Sequence, residues 1–208
     1  MNIVVLANNP IFIVKHENLI KSHARNSDIF VSIKFKYVNL IIDQDLNQHD
    51  IYFRLNNQNF IFGFNDYHKE FITKLKSNTS LFLISNITNG ILEKYDSTPY
   101  QGVDFSMFDY EPFVSYLRSF KSKSIYKKIS KLLFINDLLD TNQLSTGFWV
   151  ALKYYLTFPT AKIQLLGFYE KGNQTVLKEG KRISVSGHQF QVEKEILNSL
   201  APNLIFIN

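Results

Sequence analysis

The 208-residue chain contains no cysteine. Disulfide bonds and thiolate metal sites are therefore excluded, and a cytoplasmic location is the simplest expectation. The chain also lacks long hydrophobic runs, because no stretch approaches the roughly 20 apolar residues that a membrane-spanning helix needs. The first ten residues, MNIVVLANNP, have no basic start, so a secretory signal peptide is not expected.

Glycine and proline are sparse, with eight and five residues, and we find no internal repeat and no clear linker. Hydrophobic residues make up 45% of the chain, which is enough to build one large core. We therefore predict that residues 1–208 form a single domain.

Positive charge is in slight excess, and the formal net charge is +5. The basic residues are scattered, with a modest concentration from Arg118 to Lys131. A small positive balance suits a phosphorylated ligand or peripheral association with an anionic membrane surface. The scatter does not favour nucleic-acid binding, and we predict no nucleic-acid partner.

Short apolar runs alternate with amphipathic segments along the chain, which predicts an α/β fold. We expect a Rossmann-like domain with a mostly parallel sheet flanked by helices, in which the first strand is central. The predicted strands are Asn2–Ala7, residues 29–35 and 37–42, His49–Asn56, Leu81–Ser85, Ile163–Leu166 and Leu204–Asn208. The predicted helices are Lys15–Ala24, Asp66–Lys76, Phe108–Lys121, Ile125–Leu139, Phe148–Leu156 and Gln189–Leu200. Residues 89–106 read as a loop that could act as a lid, and Tyr169–Gly180 as a polar loop suited to substrates.

The stretch from Leu144 to Phe168 predicts a turn, a helix, a second turn and a strand. Ser145-Thr146-Gly147 opens the helix. The free N–H groups and the positive dipole end of a helix start suit an anion such as phosphate. Such starts are also common caps of ordinary helices, so both interpretations stay open.

Two further polar segments are candidates for ligand contacts. Asn8-Asn9-Pro10 follows the first strand, where open α/β sheets bind ligands, although these residues also suit a simple turn. Asp43-Gln44-Asp45 has the D-x-D form found in many metal-dependent glycosyltransferases, but so short a pattern often arises by chance. His16, His23, His49 and His68 show no metal-ligand spacing, so no metal site is predicted, and His49 could simply bond a loop.

Several segments, taken in order, resemble the motifs of one enzyme family. His49–Asn56 fits H-D-x-x-x-R-x-N, Ser145-Thr146-Gly147 with Gly167-Phe168 fits S-T-G followed by G-F, and His188–Glu193 fits H-x-x-x-x-E. Together with the strand and turn at Val4–Asn9, these segments resemble the animal-type sialyltransferases of glycosyltransferase family twenty-nine. The chain resembles the bacterial Campylobacter-type sialyltransferases more loosely, through Ala7-Asn8-Asn9-Pro10 against their G-N-G-P.

The resemblance implies a GT-A-like variant of the fold and an inverting, metal-independent glycosyltransferase. The enzyme would move a sialic acid or a Kdo-type sugar from its CMP-activated donor to a bacterial surface glycan, such as lipooligosaccharide or capsule. The implied partners are the CMP-sugar and a glycan or glycolipid acceptor, with no metal or other cofactor. The implied location is the cytoplasm, including the inner face of the cytoplasmic membrane.

The resemblance also implies roles for individual residues. His188 would be the general base, because a histidine can take a proton near neutral pH. Glu193 would orient His188 or cap its helix, and Asp50 could pair with Arg54. The residues implied in donor binding are Asn8, Asn9, Arg54, Asn56, Ser145, Thr146, Gly147, Gly167, Phe168 and Tyr169.

The chain departs from the family pattern at several points. The family's disulfide-forming cysteines are absent, Leu144 stands where proline is usual, and the interval from Asn8 to Arg54 is longer. The family's second histidine cannot be placed. Two alternatives therefore stay open: a non-catalytic α/β nucleotide-binding or interaction protein, and a metal-dependent nucleotide diphosphate-sugar transferase that uses Asp43 and Asp45.

Overall fold

The computed structural model describes residues 1–33, 40–41, 43–55, 75–85, 108–111, 145–168, 175–178, 181–184, 190–200 and 202–207. For residues 53–55, 83–85, 108–111, 175–178, 181–184 and 190, only the backbone is described. The predicted lid at 89–106 and the predicted helix Ile125–Leu139 lie outside these residues.

A seven-stranded sheet with only parallel pairs forms the centre of the described fold. Its strands are β1 (Asn2–Leu6), β2 (Ile29–Ile33), β3 (His49–Leu55), β4 (Thr79–Ser85), β5 (Phe108–Glu111), β6 (Lys162–Leu166) and β9 (Leu204–Ile207). Their order across the sheet is β5-β4-β3-β2-β1-β6-β9. The remaining strands, β7 (Thr175–Lys178) and β8 (Lys181–Ser184), form a separate antiparallel pair. The predicted α/β, Rossmann-like fold is confirmed, with β1 inside the sheet.

The described residues contain four helices: α1 (Pro10–Lys15), α2 (Glu17–Arg25), α3 (Thr146–Thr157) and α4 (Phe190–Asn198). None of these has both the length and the apolar character that crossing a membrane would require.

Strand β1 is buried on both of its faces. Ile3 and Val5 belong to the core cluster that contains the buried residues of α3. Val4 and Leu6 alternate with them and therefore point to the opposite side, and both are buried as well. A central parallel strand needs such a continuous apolar run, because helices cover both sides of the sheet.

Helix α3 is buried around most of its circumference, with eight of its twelve residues enclosed. Ser145 is its N-cap, in extended conformation, and the serine hydroxyl accepts a hydrogen bond from the Phe148 N–H at 3.1 Å. Pro159 follows the last helical residues closely, where a proline cannot continue a helix. The sequence thus sets both ends of this helix locally.

Several local predictions differ from the structure. One helix was predicted at Lys15–Ala24, but the chain forms α1 and α2, which meet at His16. Helix α1 begins earlier than predicted because Asn9 caps it and Pro10 takes its first position, which suits a helix start. Phe108–Glu111, predicted as the start of a helix, forms β5 and pairs with β4.

The polar loop predicted at Tyr169–Gly180 contains strand β7, and β8 follows after two residues. Two-residue connections are typical of β-hairpins. Leu40 and Ile41, predicted to lie in a strand, are in turn-like structure, and Leu75 and Lys76 are not helical.

A buried polar pair lies on the side of the sheet opposite α3. Ser32 is in register with Leu6, so the two side chains share that side. The Ser32 hydroxyl and the His49 Nε2 are 2.8 Å apart, and both residues are buried. Burial lowers the pKa of His49 from 6.5 to about 3. The His49 ring is therefore neutral at physiological pH and is bonded to a strand residue.

The neutral His49 should make the protein sensitive to mild acid. Between pH 6.5 and about 3 the unfolded chain binds a proton that the folded chain does not, so the free energy of unfolding falls as the pH drops. We expect His49 alone to lower the free energy of unfolding by about 2 kcal/mol at pH 5 relative to neutral pH. Chemical denaturation of His49→Gln at pH 5 and 7 should show a smaller difference in free energy of unfolding between the two pH values than the wild type.

Ser32→Ala provides the matched control for this prediction. This variant removes the hydroxyl but leaves His49 buried, and burial is the cause of the shift in its pKa. Its free energy of unfolding should be lower than that of the wild type at both pH values, with the same dependence on pH. Equal pH dependence in the wild type and His49→Gln would contradict the prediction.

Candidate functional site

The strand order reverses at β1, which has β2 on one side and β6 on the other. In open α/β sheets ligands bind at this point, beyond the carboxyl ends of the two strands whose connections diverge. We call the segments at this place the carboxyl-edge cluster: Asn8–Asn9 after β1, Gly167–Phe168 after β6, and Ser145–Gly147 at the start of α3.

Asn9 joins the two strand ends. Its amide Nδ2 donates to the Gly167 carbonyl at 3.2 Å, and its Oδ1 accepts from the Phe12 N–H at the start of α1. The side chain is fully buried. Asn9 was predicted to contact the donor, and that contact stays a prediction. In the structure the Asn9 amide links the turn after β6 to the start of α1.

Gly167 makes the close packing at this junction possible. Its φ is +68°, a left-handed conformation that L side chains rarely adopt. A methyl group at this position would lie 2.7 Å from the Phe12 ring. The Gly167 N–H donates to the Ile207 carbonyl at 3.1 Å, so the turn after β6 is also tied to β9.

The start of α3 rests on the residue that follows Gly167. A methyl group added to Gly147 would lie 3.0 Å from the Phe168 ring and 3.3 Å from the Ile33 side chain. Gly147 and Phe168 are both buried. The two halves of the S-T-G and G-F pattern, predicted to act together, therefore pack against one another.

Glu193 of α4 reaches the N-cap of α3. The Ser145 N–H donates to Glu193 Oε1 at 2.5 Å, and the Ser145 hydroxyl donates to Oε2 at 2.7 Å. Glu193 is fully buried. A carboxylate at this position interacts favourably with the helix dipole and with two donors. The anion in contact with Ser145 is therefore a side chain of the protein itself.

Unused polar groups remain at the same edge. Within the described part of the chain, the N–H groups of Thr146 and Gly147 have no acceptor, as expected for the first turn of a helix. The Asn8 Oδ1 is buried and accepts no hydrogen bond there. Two donors and one acceptor at this edge are therefore without a partner among the described residues.

Some predicted site residues are not described. His188, Tyr169 and Asn56 lie outside the described residues. The backbone of Arg54 lies in β3, but its side chain is not described. Their predicted roles stay predictions.

Asp50 belongs to a buried network between β3 and α3. The Tyr154 hydroxyl donates to the Asp50 carboxylate, and the Gln48 amide donates to its other oxygen at 2.9 Å. Burial, with the neighbouring Tyr52 and Asp50, raises the pKa of Tyr154 well above 10. Tyr154 is therefore a neutral donor to a carboxylate at physiological pH.

Lys153 extends this network towards β4. Its ammonium donates to the Tyr52 hydroxyl at 2.6 Å and lies 4.6 Å from the centre of the Phe82 ring. The Tyr52 hydroxyl in turn donates a long hydrogen bond, 3.4 Å, to the Tyr154 hydroxyl. A lysine and an aspartate are thus connected through two phenols.

The sequence did not predict this network. Alternation along β3 would have placed Asp50 and Tyr52 on one face. Helix α3, however, carries Tyr154 and Tyr155 side by side and is apolar almost all round. Nothing in that pattern indicates which tyrosine meets Asp50.

The D-x-D segment lies at the other edge of the sheet. The Gln44 carbonyl accepts from Lys76, and the Asn47 amide donates to the Ser27 carbonyl, so this segment lies beside the amino ends of β2 and β4. Asp43 and Asp45 are exposed. Among the described residues, no three histidine, aspartate or glutamate side chains are grouped to hold a metal ion.

Gly167→Ala should destabilise the protein. The new methyl group would meet the Phe12 ring, and alanine disfavours a φ of +68°. We expect a loss of about 1–3 kcal/mol in the free energy of unfolding, measured by chemical denaturation. Gly147→Ala is the matched control, because Gly147 has helical geometry and a looser contact; an equal loss in both variants would contradict this account.

Tyr154→Phe should weaken the protein because the buried Asp50 loses a hydrogen-bond donor. The expected cost is about 2 kcal/mol in the free energy of unfolding. Tyr155→Phe is the control, because Tyr155 is only partly buried and no hydrogen bond of its hydroxyl is found within the described residues. The account would be wrong if both substitutions lowered the free energy of unfolding equally.

Comparison with protein-family models, with curated proteins and with solved structures finds no match to this chain. The Rossmann-like fold and the carboxyl-edge cluster are therefore the observations from which a function can be argued.

Proposed function

We propose that the protein is an inverting, metal-independent glycosyltransferase that uses a CMP-activated sialic acid or Kdo-type sugar. The observation that carries this proposal is the convergence of segments that are far apart in sequence. Four parts of the chain meet at the point where the strand order reverses: Asn8–Asn9, Ser145–Gly147, Gly167–Phe168 and Glu193. Open α/β sheets bind nucleotides at this point.

The chemistry of a CMP-sugar fits the groups found at this edge. The donor has a single phosphodiester, which needs fewer counter-charges than a diphosphate. The N–H groups of Thr146 and Gly147 can donate to it, as helix N-termini do to phosphates. The Asn8 Oδ1 can accept from a hydroxyl or amino group of the nucleoside. This set of groups needs no metal ion.

His188 is the proposed general base. It precedes α4 by two residues in the sequence, and Glu193 of α4 contacts Ser145. His188 would take the proton of an acceptor hydroxyl as the hydroxyl oxygen bonds to the anomeric carbon. The bond from that carbon to the phosphate oxygen breaks, and CMP leaves with the electron pair, which inverts the configuration.

The acceptor would be a bacterial surface glycan or glycolipid built at the inner face of the cytoplasmic membrane. The net charge of +5 would favour peripheral association with that anionic surface. A protein that works there needs no spanning segment of its own.

A second candidate is a non-catalytic α/β nucleotide-binding protein. The observation that favours it is the contact between Ser145 and Glu193, since it occupies donors that a substrate phosphate could use. Such a protein would bind a nucleotide at the same edge without turnover. Binding and turnover must therefore be measured separately.

A thermal-shift series tests the nucleotide. CMP should raise the melting temperature with concentration, because a ligand that binds only the folded state stabilises it by mass action. UDP, GDP and their sugars should raise it less, with or without magnesium. Stabilisation by a nucleotide diphosphate only in the presence of magnesium would reject the proposal in favour of a metal-dependent transferase.

The base is tested by His188→Ala. Transfer from CMP-sialic acid and CMP-Kdo, followed by release of CMP, should fall by at least about 100-fold, because general-base catalysis contributes that much. The thermal shift with CMP should persist. His23→Ala on α2 is the control and should keep full transfer; unchanged transfer in His188→Ala would refute the assignment, and CMP binding without any wild-type transfer would favour the non-catalytic candidate.

A further inference from the structure

Helix α1 presents apolar side chains to solvent. Ile11 is 40% exposed, and Val14, at 78%, is the most exposed large hydrophobic residue in the described part of the chain. The two residues are three positions apart and therefore share one face of the helix, which Lys15 extends. Phe12 and Ile13, on the other face, are buried. Helix α1 is thus apolar on two faces but buried on only one.

The neighbouring helix shows the ordinary arrangement. Helix α2 buries Ile20 and Ala24 and exposes Asn18, Ser22 and Arg25, as a surface helix usually does. Both helices belong to the connection from β1 to β2, so this location does not by itself require an apolar outer face. Isolated apolar residues are common on protein surfaces, but adjacent ones on one helix face indicate a contact surface.

We call Ile11, Val14 and Lys15 the α1 patch, and the charges beside its apolar residues are positive. Lys15 is exposed and forms no ion pair within the described ranges. In α2, Glu17 is paired with Lys21, and Arg25 is exposed. Aliphatic side chains next to an exposed cation suit an anionic bilayer, because the aliphatic groups enter the interface while the ammonium stays among the lipid phosphates.

The small size of the patch also favours a membrane over a protein partner. Stable protein interfaces bury about 800 Å² on each side and involve roughly 20–30 residues of each partner. Reversible binding to a bilayer has no comparable minimum, because its strength scales with the apolar area inserted and with attraction to anionic lipids. Two aliphatic residues and a lysine can therefore contribute to membrane binding while being too few for a protein interface.

We infer that the α1 patch docks the protein on an anionic membrane surface, with Ile11 and Val14 inserted at the headgroup level and Lys15 among the lipid phosphates. Helix α1 begins directly after Asn9 of the carboxyl-edge cluster and is about 9 Å long. Docking on this patch brings the cluster close to the bilayer, where a glycolipid acceptor lies. The inference deepens the proposed function and rests on it for the purpose of the docking, although membrane binding itself requires no nucleotide.

Flotation with lipid vesicles tests the inference. The wild type should bind vesicles made of equal parts of phosphatidylcholine and phosphatidylglycerol more tightly than vesicles of phosphatidylcholine alone, and added salt should weaken this binding. Val14→Ser should weaken binding to the anionic vesicles about tenfold, since an inserted aliphatic side chain is lost. Lys15→Gln should weaken it about fivefold. Lys194→Gln is the matched control, because it removes the same charge from an exposed position on α4 and should bind as the wild type does.

The outcomes separate the docking surface from the proposed function. The inference is overturned if the wild type does not bind the anionic vesicles, if Val14→Ser binds them as tightly as the wild type, or if Lys194→Gln loses as much affinity as Lys15→Gln. It is also overturned if the protein is a dimer by size-exclusion chromatography without vesicles and Val14→Ser is a monomer, because the patch then contacts a second copy. Vesicle binding through the patch, without stabilisation by CMP, would support the docking surface and reject the proposed function alone.

Discussion

Parallel pairing of β1 with both β2 and β6 is the constraint on which the rest of the structure depends. Parallel neighbours cannot be joined by a tight turn, so each connection must return across the sheet before the next strand begins. All carboxyl ends of the sheet therefore lie at one edge. This arrangement brings Asn9 to Gly167, which is 158 residues away. The candidate site follows from this reversal of strand order.

The edge is held by small, close contacts. Asn9 uses both ends of its amide within the protein, and a buried amide left unpaired would cost stability. Gly167 lacks the side chain that would collide with Phe12. Both residues were predicted from the sequence to contact a ligand, and the contacts described in the structure are with other residues of the protein. A binding site needs such support, because its ligand-facing groups must be held in place.

The elements that could be predicted from the sequence are those with a strong local pattern. β1 is an uninterrupted apolar run after Asn2, and β6 is apolar at three of its last four positions. Helix α3 has a serine cap at one end and a proline just beyond the other. β5 is different, because its four residues, FDYE, form a strand through pairing with β4. Tertiary context overrides local preference most easily in such short segments.

The site was predictable only in part, for a related reason. The sequence indicated that Ser145–Gly147, Gly167–Phe168 and the strand end at Asn8 belong together. It gave no indication that Glu193 would bond Ser145, since that contact joins two helices across the fold. The rotation of α3 about its own axis could not be predicted either, because a helix that is apolar almost all round has no polar stripe to orient it.

The buried polar pairs fix the orientation of α3 and β3, which the apolar pattern alone does not determine. Successive residues of β3 point to opposite faces, so Asp50 meets Tyr154 on the α3 side while His49 meets Ser32 on the other. A slip of β3 by one residue would exchange the two sides and leave both polar groups without partners. Such pairs add modest net stability, but they make the alternatives costly. The same contacts that fix α3 against β3 hold the start of α3 over Phe168, and so they also set the geometry of the candidate site.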